Sequence, residues 1–127
     1  MATYNNVELI SGEAGSAVTA MRFVVRAADG QYDHVSSAQG DADGVAAESV
    51  ALQGGELPIA VLKTGSILKV VAGAALTVNA EVASDDEGRA IAAVDGAGNW
   101  VMGKTLDAAT GAGEVVRVMI HKDRDQA

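Results

Sequence analysis

The sequence contains no cysteine, one proline, and only one Trp, two Tyr and one Phe among its 127 residues. Without cysteine it can form no disulfide framework, no thiolate metal site and no thiol nucleophile. So few aromatic rings leave few platforms on which a base or a sugar can stack. Acidic residues number 17 against nine Lys and Arg, and the net charge of −8 repels a phosphate backbone. We therefore expect no nucleic-acid partner.

Long hydrophobic runs are also missing. The longest apolar stretches, such as residues 70–75, are far shorter than the roughly 20 residues that span a bilayer. The first six residues are polar and lack the basic and apolar regions of a secretory signal. The sequence therefore predicts no membrane partner, and it predicts synthesis and folding in a cytosol.

Small residues dominate what is present, with 25 Ala, 17 Val and 15 Gly against seven Leu and five Ile. Glycine-containing turn sequences recur mostly every 8 to 15 residues, which is typical of the strands of a β-sandwich or barrel. The runs between these turns that favour strands are residues 22–26, 31–35, 44–49, 58–63, 67–71, 80–84, 90–94, 100–103 and 115–121. In the last run Val116, Val118 and Ile120 occupy every second position, as in a half-buried strand.

These patterns predict a small, single all-β domain, either a sandwich or a barrel, of short strands with Gly-rich turns. At most one or two short helices are expected, with residues 14–21, 49–52 and 105–109 as the candidates. Asp29-Gly30 predicts a hairpin turn. We divide the chain into an extended N-terminal arm (residues 1–15), a β domain (residues 16–121) and a charged C-terminal tail (residues 122–127).

The abundance of alanine has two interpretations. Each buried Ala contributes much less than the roughly 1.5–3 kcal/mol of a buried Val or Leu. Either the core is thin and the fold depends on a partner, or the alanines line close-packed surfaces between Val-rich strands. Both suit a small protein whose stability is shared with an assembly.

Residues 98–105 match G-x-x-x-x-G-K-[ST], the pattern of a phosphate-binding P-loop. In such a loop Lys104 would contact the phosphates and Thr105 would bind Mg²⁺. The interior of this segment, Trp100-Val101-Met102, is bulky and strand-like, and the glycines at 111 and 113 leave no room for the helix that must follow. We therefore interpret it as a strand followed by a polar turn, with nucleotide binding as a remote alternative.

No other pattern supports catalysis or a metal site. Residues 41–44 resemble part of a calcium loop, but Gln39 and Val50 stand at the positions of two required ligands. Residues 85–88 favour a solvated turn over a weak surface cation site. The two histidines, His34 and His121, lie near no G-x-S-x-G nucleophile sequence. We expect neither an enzyme nor a cofactor.

An ordered series of short segments carries a family resemblance over about 100 of the 127 residues. They are residues 23–30, 43–48, 55–62, 70–77, 81–84, 86–90, 103–109 and 113–120. Taken together, their order and spacing resemble the head-decoration, or capsid cement, proteins of tailed bacteriophages. One departure is Asn79, where the family tends to carry Gly; Asn tolerates the left-handed backbone that such a turn requires.

The resemblance implies a non-enzymatic protein on the outer surface of the virion capsid, made in the bacterial host cytoplasm. It would bind the phage major capsid protein, commonly as a homotrimer, and clamp neighbouring capsid subunits. The polar arm is our candidate for capsid contact, because it can add to a sheet edge. Its residues are Ala2, Thr3, Tyr4, Asn5, Asn6 and Val7. The alternative is a small β binding module on the virion surface that recognises a host glycan or protein.

Overall fold

The computed structural model describes residues 7–94, 96 and 98–124, which form ten β-strands. These are β1 (Leu9–Glu13), β2 (Phe23–Arg26), β3 (Tyr32–His34), β4 (Gly44–Ala46), β5 (Glu56–Val61), β6 (Ile67–Val71), β7 (Glu81–Ser84), β8 (Ala90–Ala92), β9 (Trp100–Thr105) and β10 (Val115–Arg124). None of the described residues is helical, so none belongs to a helix long and apolar enough to cross a membrane.

The strands form two five-stranded sheets, in the orders β1-β5-β4-β2-β3 and β6-β10-β9-β7-β8. All neighbouring strands run antiparallel. The predicted all-β, sandwich-like fold is confirmed, and each of the nine predicted runs overlaps a strand. β1 was not predicted; it lies within the segment assigned to the N-terminal arm, and β10 continues into the segment assigned to the tail. The boundaries of the three predicted regions stay predictions.

The three segments proposed as short helices, residues 14–21, 49–52 and 105–109, are not helical; bends, turns and isolated β-bridges make up most of them. In residues 14–21, Ala14 forms a bridge with Tyr32 and Val18 forms one with Val50. In residues 105–109, Thr105 ends β9 and Ala109 forms a bridge with Leu76. Their backbone groups bond to neighbouring strands, which outweighs the weak helix propensity of segments this short.

The two sheets are copies of one structural unit. Strands β1 to β5, the first repeat, and β6 to β10, the second repeat, have the same order and register. Leu9 pairs with Ala60 as Ile67 pairs with Met119, and Val24 pairs with Gly44 as Val82 pairs with Gly103. The offset between equivalent residues is 58 up to β3 and 59 from β4 onward, so one extra residue lies in the second repeat.

The turns of the two repeats also correspond. Met21 and Asn79 are equivalent and have φ values of 62° and 63°, so the left-handed turn predicted at Asn79 is confirmed. The Gly15 N–H donates to Tyr32 O at 2.9 Å, and the equivalent bond runs from Gly73 to Ala90 at 2.7 Å. Each bond joins the two edges of one sheet at one end, so both repeats curl around their own core.

The sequence analysis missed the repeat, although a signal exists. Residues 14–19 read Ala-Gly-Ser-Ala-Val-Thr, and residues 72–77 read Ala-Gly-Ala-Ala-Leu-Thr. The segments share Ala, Gly, Ala and Thr at the same four positions. The rest of each repeat has diverged so far that the match is short, and the extra residue breaks any single alignment offset.

The core consists of two clusters. The smaller lies inside the first repeat and comprises Ala14, Val18, Val24, Ala46, Leu57 and Ile59. The larger fills the second repeat and continues into the contact between the repeats, where Phe23, Val45 and Ala60 meet residues such as Leu68. Many alanines are buried in these clusters between valines, which supports close-packed β surfaces as the role of the alanine content.

Equivalent glycines permit close packing of the β4–β5 and β9–β10 strand pairs. A Cβ atom on Gly103 would lie 2.1 Å from Met119 O, and one on Gly44 would lie 2.3 Å from the Ile59 side chain and 2.7 Å from Ala60 O. The obstacle in each case includes backbone, which cannot move without shifting a strand. Both positions therefore require glycine.

We expect Gly103→Ala to lower the free energy of unfolding by about 2 kcal/mol or more, because the added methyl group must push β10 away from β9. Gly44→Ala should behave in the same way. Gly111→Ala is the matched control, since nothing lies within 4 Å of its Cβ position. Urea unfolding of the three variants measures the effect, and equal stabilities would contradict the close packing.

Candidate functional site

The two repeats contact each other head to tail, through different surfaces. The Val71 N–H donates to Met21 O at 2.8 Å, and the Phe23 N–H donates to Gly88 O at 2.7 Å. A symmetric contact would also contain bonds from Glu13 to Asn79 and from Glu81 to Gly30, and neither bond is formed between these described residues. Each repeat therefore uses one surface in the internal contact.

A row of side chains across the first sheet forms the covered surface. Phe23, Val45 and Ala60 are neighbours on adjacent strands and are exposed by 0%, 3% and 6%. We call this row the buried face. The edge strand β6 of the second repeat lies beside it, and Leu68 belongs to the same apolar cluster.

The equivalent row on the second sheet consists of Glu81, Lys104 and Met119, which we call the open face. All three residues are exposed, Met119 by 43%. Beside them lies an apolar pocket of about 300 Å³ that Val101 and Gly103 help to line. On the first repeat, a separate groove of about 320 Å³ lies between the buried face and β6, where Val45 and Ala60 line it together with Leu68.

Lys122 stabilises the contact between the repeats. Its Nζ lies 2.6 Å from Asp41 Oδ1, donates to Ala42 O at 2.6 Å, and sits 4.9 Å from the centre of the Trp100 ring. Lys122 and Trp100 belong to the second repeat, whereas Asp41 and Ala42 precede β4 in the first. One cation therefore binds two groups across the boundary and packs over the Trp100 ring of its own repeat.

The P-loop alternative is wrong. The segment that would wrap a phosphate is the continuous strand β9, paired with β10 and β7. The Thr105 hydroxyl donates to Thr77 O at 2.6 Å and accepts the Ala80 N–H at 3.0 Å, so it is used in the fold. Lys104 is exposed on the sheet, and no helix follows among the described residues.

The acidic residues singled out in the sequence hold turns and strands. Asp43 Oδ2 accepts the Arg26 N–H at 2.8 Å. Asp85 Oδ1 accepts the N–H groups of Glu87 and Arg89, and its Oδ2 pairs with the Arg89 Nε at 2.9 Å. Carboxylate oxygens of residues 85–87 lie within 4.8 Å of one another, but Asp85 already has these donors. The predicted turn is present, but it is solvated only at Asp86 and Glu87, because Asp85 is buried and holds the turn through these bonds.

One surface ion pair fixes the segment after β9. Arg117 donates to both carboxylate oxygens of Asp107 at 2.9 Å. These hydrogen bonds lower the pKa of Asp107 to about 2, so the carboxylate stays charged in all but strongly acidic solution. The pair is exposed and bidentate, and it serves the structure of the loop.

His34 is half-buried on β3, and its imidazole serves as a hydrogen-bond acceptor. The Thr19 N–H donates to Nε2 at 3.0 Å, which requires the neutral ring. Burial lowers the pKa of His34 below its ordinary value of 6.5, and the nearby Arg22 lowers it further. No serine or threonine hydroxyl is bonded to it in the described region, so it has the role of a structural histidine.

The described aromatic side chains offer no exposed platform for a sugar. Phe23 is fully buried, Tyr32 packs against the first core, and Trp100 is half-buried at the edge of the second. Of the predicted contact residues, the structure describes Val7 alone; Ala2 to Asn6 lie outside the described residues. Val7 is 41% exposed and lines the groove between the repeats.

Replacing Lys122 by Met should lower the free energy of unfolding by about 1 kcal/mol and shift the fluorescence of Trp100, because the contact between the repeats loses its cation. Lys63 is the equivalent residue of the first repeat and is exposed. Lys63→Met is therefore the matched control and should change neither property. Equal effects of the two substitutions would refute the role of Lys122.

The stability of the protein should fall as the pH drops below 6.5. Because the pKa of His34 is lower in the folded chain than in the unfolded chain, its contribution is complete above the unfolded value and is lost as the pH falls through the folded value. Thermal unfolding between pH 7 and pH 5 should show a smaller decrease in Tm for His34→Gln than for the parent. The exposed His121, changed to Gln, is the control and should leave the pH dependence unaltered.

Comparison with known proteins agrees with this geometry. A profile of the phage cement protein family matches residues 5–120. The fold is similar to the crystal structure of the head fiber gp8.5 N base of bacteriophage phi29, with a TM-score of 0.73 and 20% sequence identity over 95% of this chain and 99% of that chain. A search of curated proteins found no match. The chain belongs to the phage cement protein family, and it is a structural protein of the phage capsid without enzymatic activity.

Proposed function

We propose that this protein binds the outer surface of an assembled phage head and stabilises the shell by clamping neighbouring major capsid subunits. The observation that carries the proposal is the family match over residues 5–120. Each copy would be made in the bacterial host cytoplasm and added to the outside of the finished shell. A clamp of this kind needs a rigid body with more than one contact, so that binding at one subunit raises the effective concentration at the next.

The stiffness of the described chain supports this role. Two repeats share a continuous apolar cluster and are joined by hydrogen bonds and by the Lys122 contact. A hinge between them would have to expose Phe23 and Val45, which are nearly fully buried. Force applied at one end of such a body is transmitted to the other.

The partners in this proposal are the major capsid protein and other copies of this chain, assembled as a homotrimer on the shell. Nucleic acid is not among them, because the net charge of −8 repels phosphate.

The residues proposed for capsid contact are Ala2 to Val7. An extended arm that adds to a sheet edge of the capsid is held by its backbone N–H and C=O groups, and side chains contribute less. Val7, at the end of this arm, is 41% exposed and lines the groove between the repeats.

Binding is measured by cosedimentation of the purified protein with shells that lack it, and stabilisation by the temperature at which such particles release DNA. We expect saturable binding and a higher release temperature when the protein is bound. Shells that neither bind the protein nor gain resistance to heat would refute the proposed function.

Proline substitutions separate the arm from the rest of the surface. Thr3→Pro with Asn5→Pro removes two backbone donors and should weaken shell binding by about tenfold or more, or about 1.4 kcal/mol. Thr3→Ala with Asn5→Ala is the matched control, since it keeps both N–H groups, and its binding should stay within about a factor of three. If the proline variant binds as tightly as the alanine variant, the arm is not the contact.

A further inference from the structure

The internal contact joins two different surfaces, and each of these surfaces has an equivalent elsewhere in the chain that makes no such contact. The second repeat contributes the edge of β6, and the first repeat contributes the buried face. The edge of β1 is equivalent to the edge of β6, and the open face is equivalent to the buried face. The two halves therefore lie on different surfaces of one chain, each without the partner that its equivalent has.

The β1 edge exposes apolar side chains at positions whose equivalents on β6 are buried or half-buried. Ile10 is 42% exposed, whereas the equivalent Leu68 is 4% exposed. Leu9 is 59% exposed, and its equivalent Ile67 is half-buried. Because consecutive strand residues point to opposite faces, this edge exposes apolar side chains on both faces of the sheet, with Leu9 on the face of Ala60. Soluble proteins usually protect such edges.

The open face also exposes an apolar side chain at a position whose equivalent on the buried face is covered. Met119 is 43% exposed where the equivalent Ala60 is 6% exposed. The adjoining pocket of about 300 Å³ is lined by Val101, Gly103 and Ile120 among others. On the first repeat the equivalent Ala60 lines a groove that Ile67 and Leu68 of β6 also line.

The backbone hydrogen bonds of the internal contact are also missing at the equivalent positions. Met21 O and the Phe23 N–H are bonded by the second repeat. The equivalent positions in the second repeat, Asn79 and Glu81, make no such bond to the first. They lie on the side of the open face where a further repeat would place its own acceptor and donor.

The acidic residues of the β1 edge disfavour its contact with itself. Glu8 and Glu13 are exposed and flank the apolar residues of this edge. In the open row Lys104 offsets Glu81, so that face does not repel an acidic partner. Like charges therefore act against pairing of two β1 edges, whereas Lys104 offers Glu8 and Glu13 an opposite charge.

We propose that the open face binds the β1 edge of a second copy of this chain, in the way that the buried face binds β6 within the chain. Ile10 of one copy packs beside Lys104 and Met119 of the next, as Leu68 lies beside Val45 and Ala60 within the chain. The contact is heterologous, so it repeats from copy to copy and closes only into a ring. It rests on the self-association in the proposed function and supplies its surfaces; a closed trimer of this kind contains six repeats joined by one type of contact.

The contact between copies is weaker than the internal one. Glu81 and Lys104 stand where the buried face has Phe23 and Val45, so less apolar area is removed from water. Self-association is therefore concentration-dependent, and binding of several copies to one shell promotes it by raising their local concentration.

The test is sedimentation equilibrium of the full chain and of two single variants, Ile10→Asp and Met119→Asp. The parent should associate reversibly above the 12.8 kDa monomer mass as its concentration rises. Each variant alone should remain a monomer, because each lacks one half of the contact. An equimolar mixture should form dimers and nothing larger, because the intact open face of Ile10→Asp binds the intact β1 edge of Met119→Asp.

Leu52→Asp is the control, since Leu52 is 75% exposed in a turn outside both surfaces, and this variant should associate as the parent does. Circular dichroism and thermal unfolding verify that each variant is folded. If Met119→Asp is unfolded, the exposed Lys104→Glu replaces it as the open-face variant and should weaken association by like charge with Glu8 and Glu13.

Three results would overturn the inference: a parent that stays monomeric at the highest attainable concentration, a Met119→Asp variant that still associates, or a mixture that forms no dimer. Shell binding is scored separately by cosedimentation. Variants that fail to associate in the mixture but still bind shells would refute the head-to-tail contact alone and leave the proposed function standing.

Discussion

Burial of one apolar row between the two repeats holds this molecule together. Phe23, Val45 and Ala60 lie on the outward side of the first sheet and join the apolar cluster of the second repeat. A single repeat would leave this surface exposed and would have only a six-residue cluster of its own as a core. Burial of the face therefore makes one stable body from two small units, in the way that neighbouring units stabilise each other in repeat proteins.

The head-to-tail direction of this contact makes the two ends of the molecule different. A two-fold arrangement would bury both equivalent faces and finish the assembly at two repeats. Here one face stays open and carries charge at two of its three positions, Glu81 and Lys104. These charges limit association in dilute solution, while Met119 and the pocket beside it form an apolar area on the open face. Membership of the phage cement protein family associates this asymmetric molecule with the phage capsid, whose subunits repeat.

Sequence reasoning located nine of the ten strands because glycine turns and alternating valines are local signals that tertiary contacts reinforced. It missed β1, since Leu9–Glu13 contains two polar residues and a glycine and has no alternation. That strand exists because its register with β5 completes the sheet. The interpretation of residues 98–105 as a strand succeeded because Trp100, Val101 and Met102 suit a sheet, and Thr105 is held by hydrogen bonds that no local pattern displays.

Local propensity and composition were enough to establish the all-β class, the positions of most strands, the absence of cysteine chemistry and the left-handed turn at Asn79, because these act over a few residues. The repeat left one short trace in the sequence, at residues 14–19 and 72–77, and the rest of each unit has diverged too far to show it. The head-to-tail contact, and the burial of Phe23 where its equivalent Glu81 is exposed, come from the folded structure. They depend on which surfaces meet across about 58 residues of chain, and no local pattern displays that.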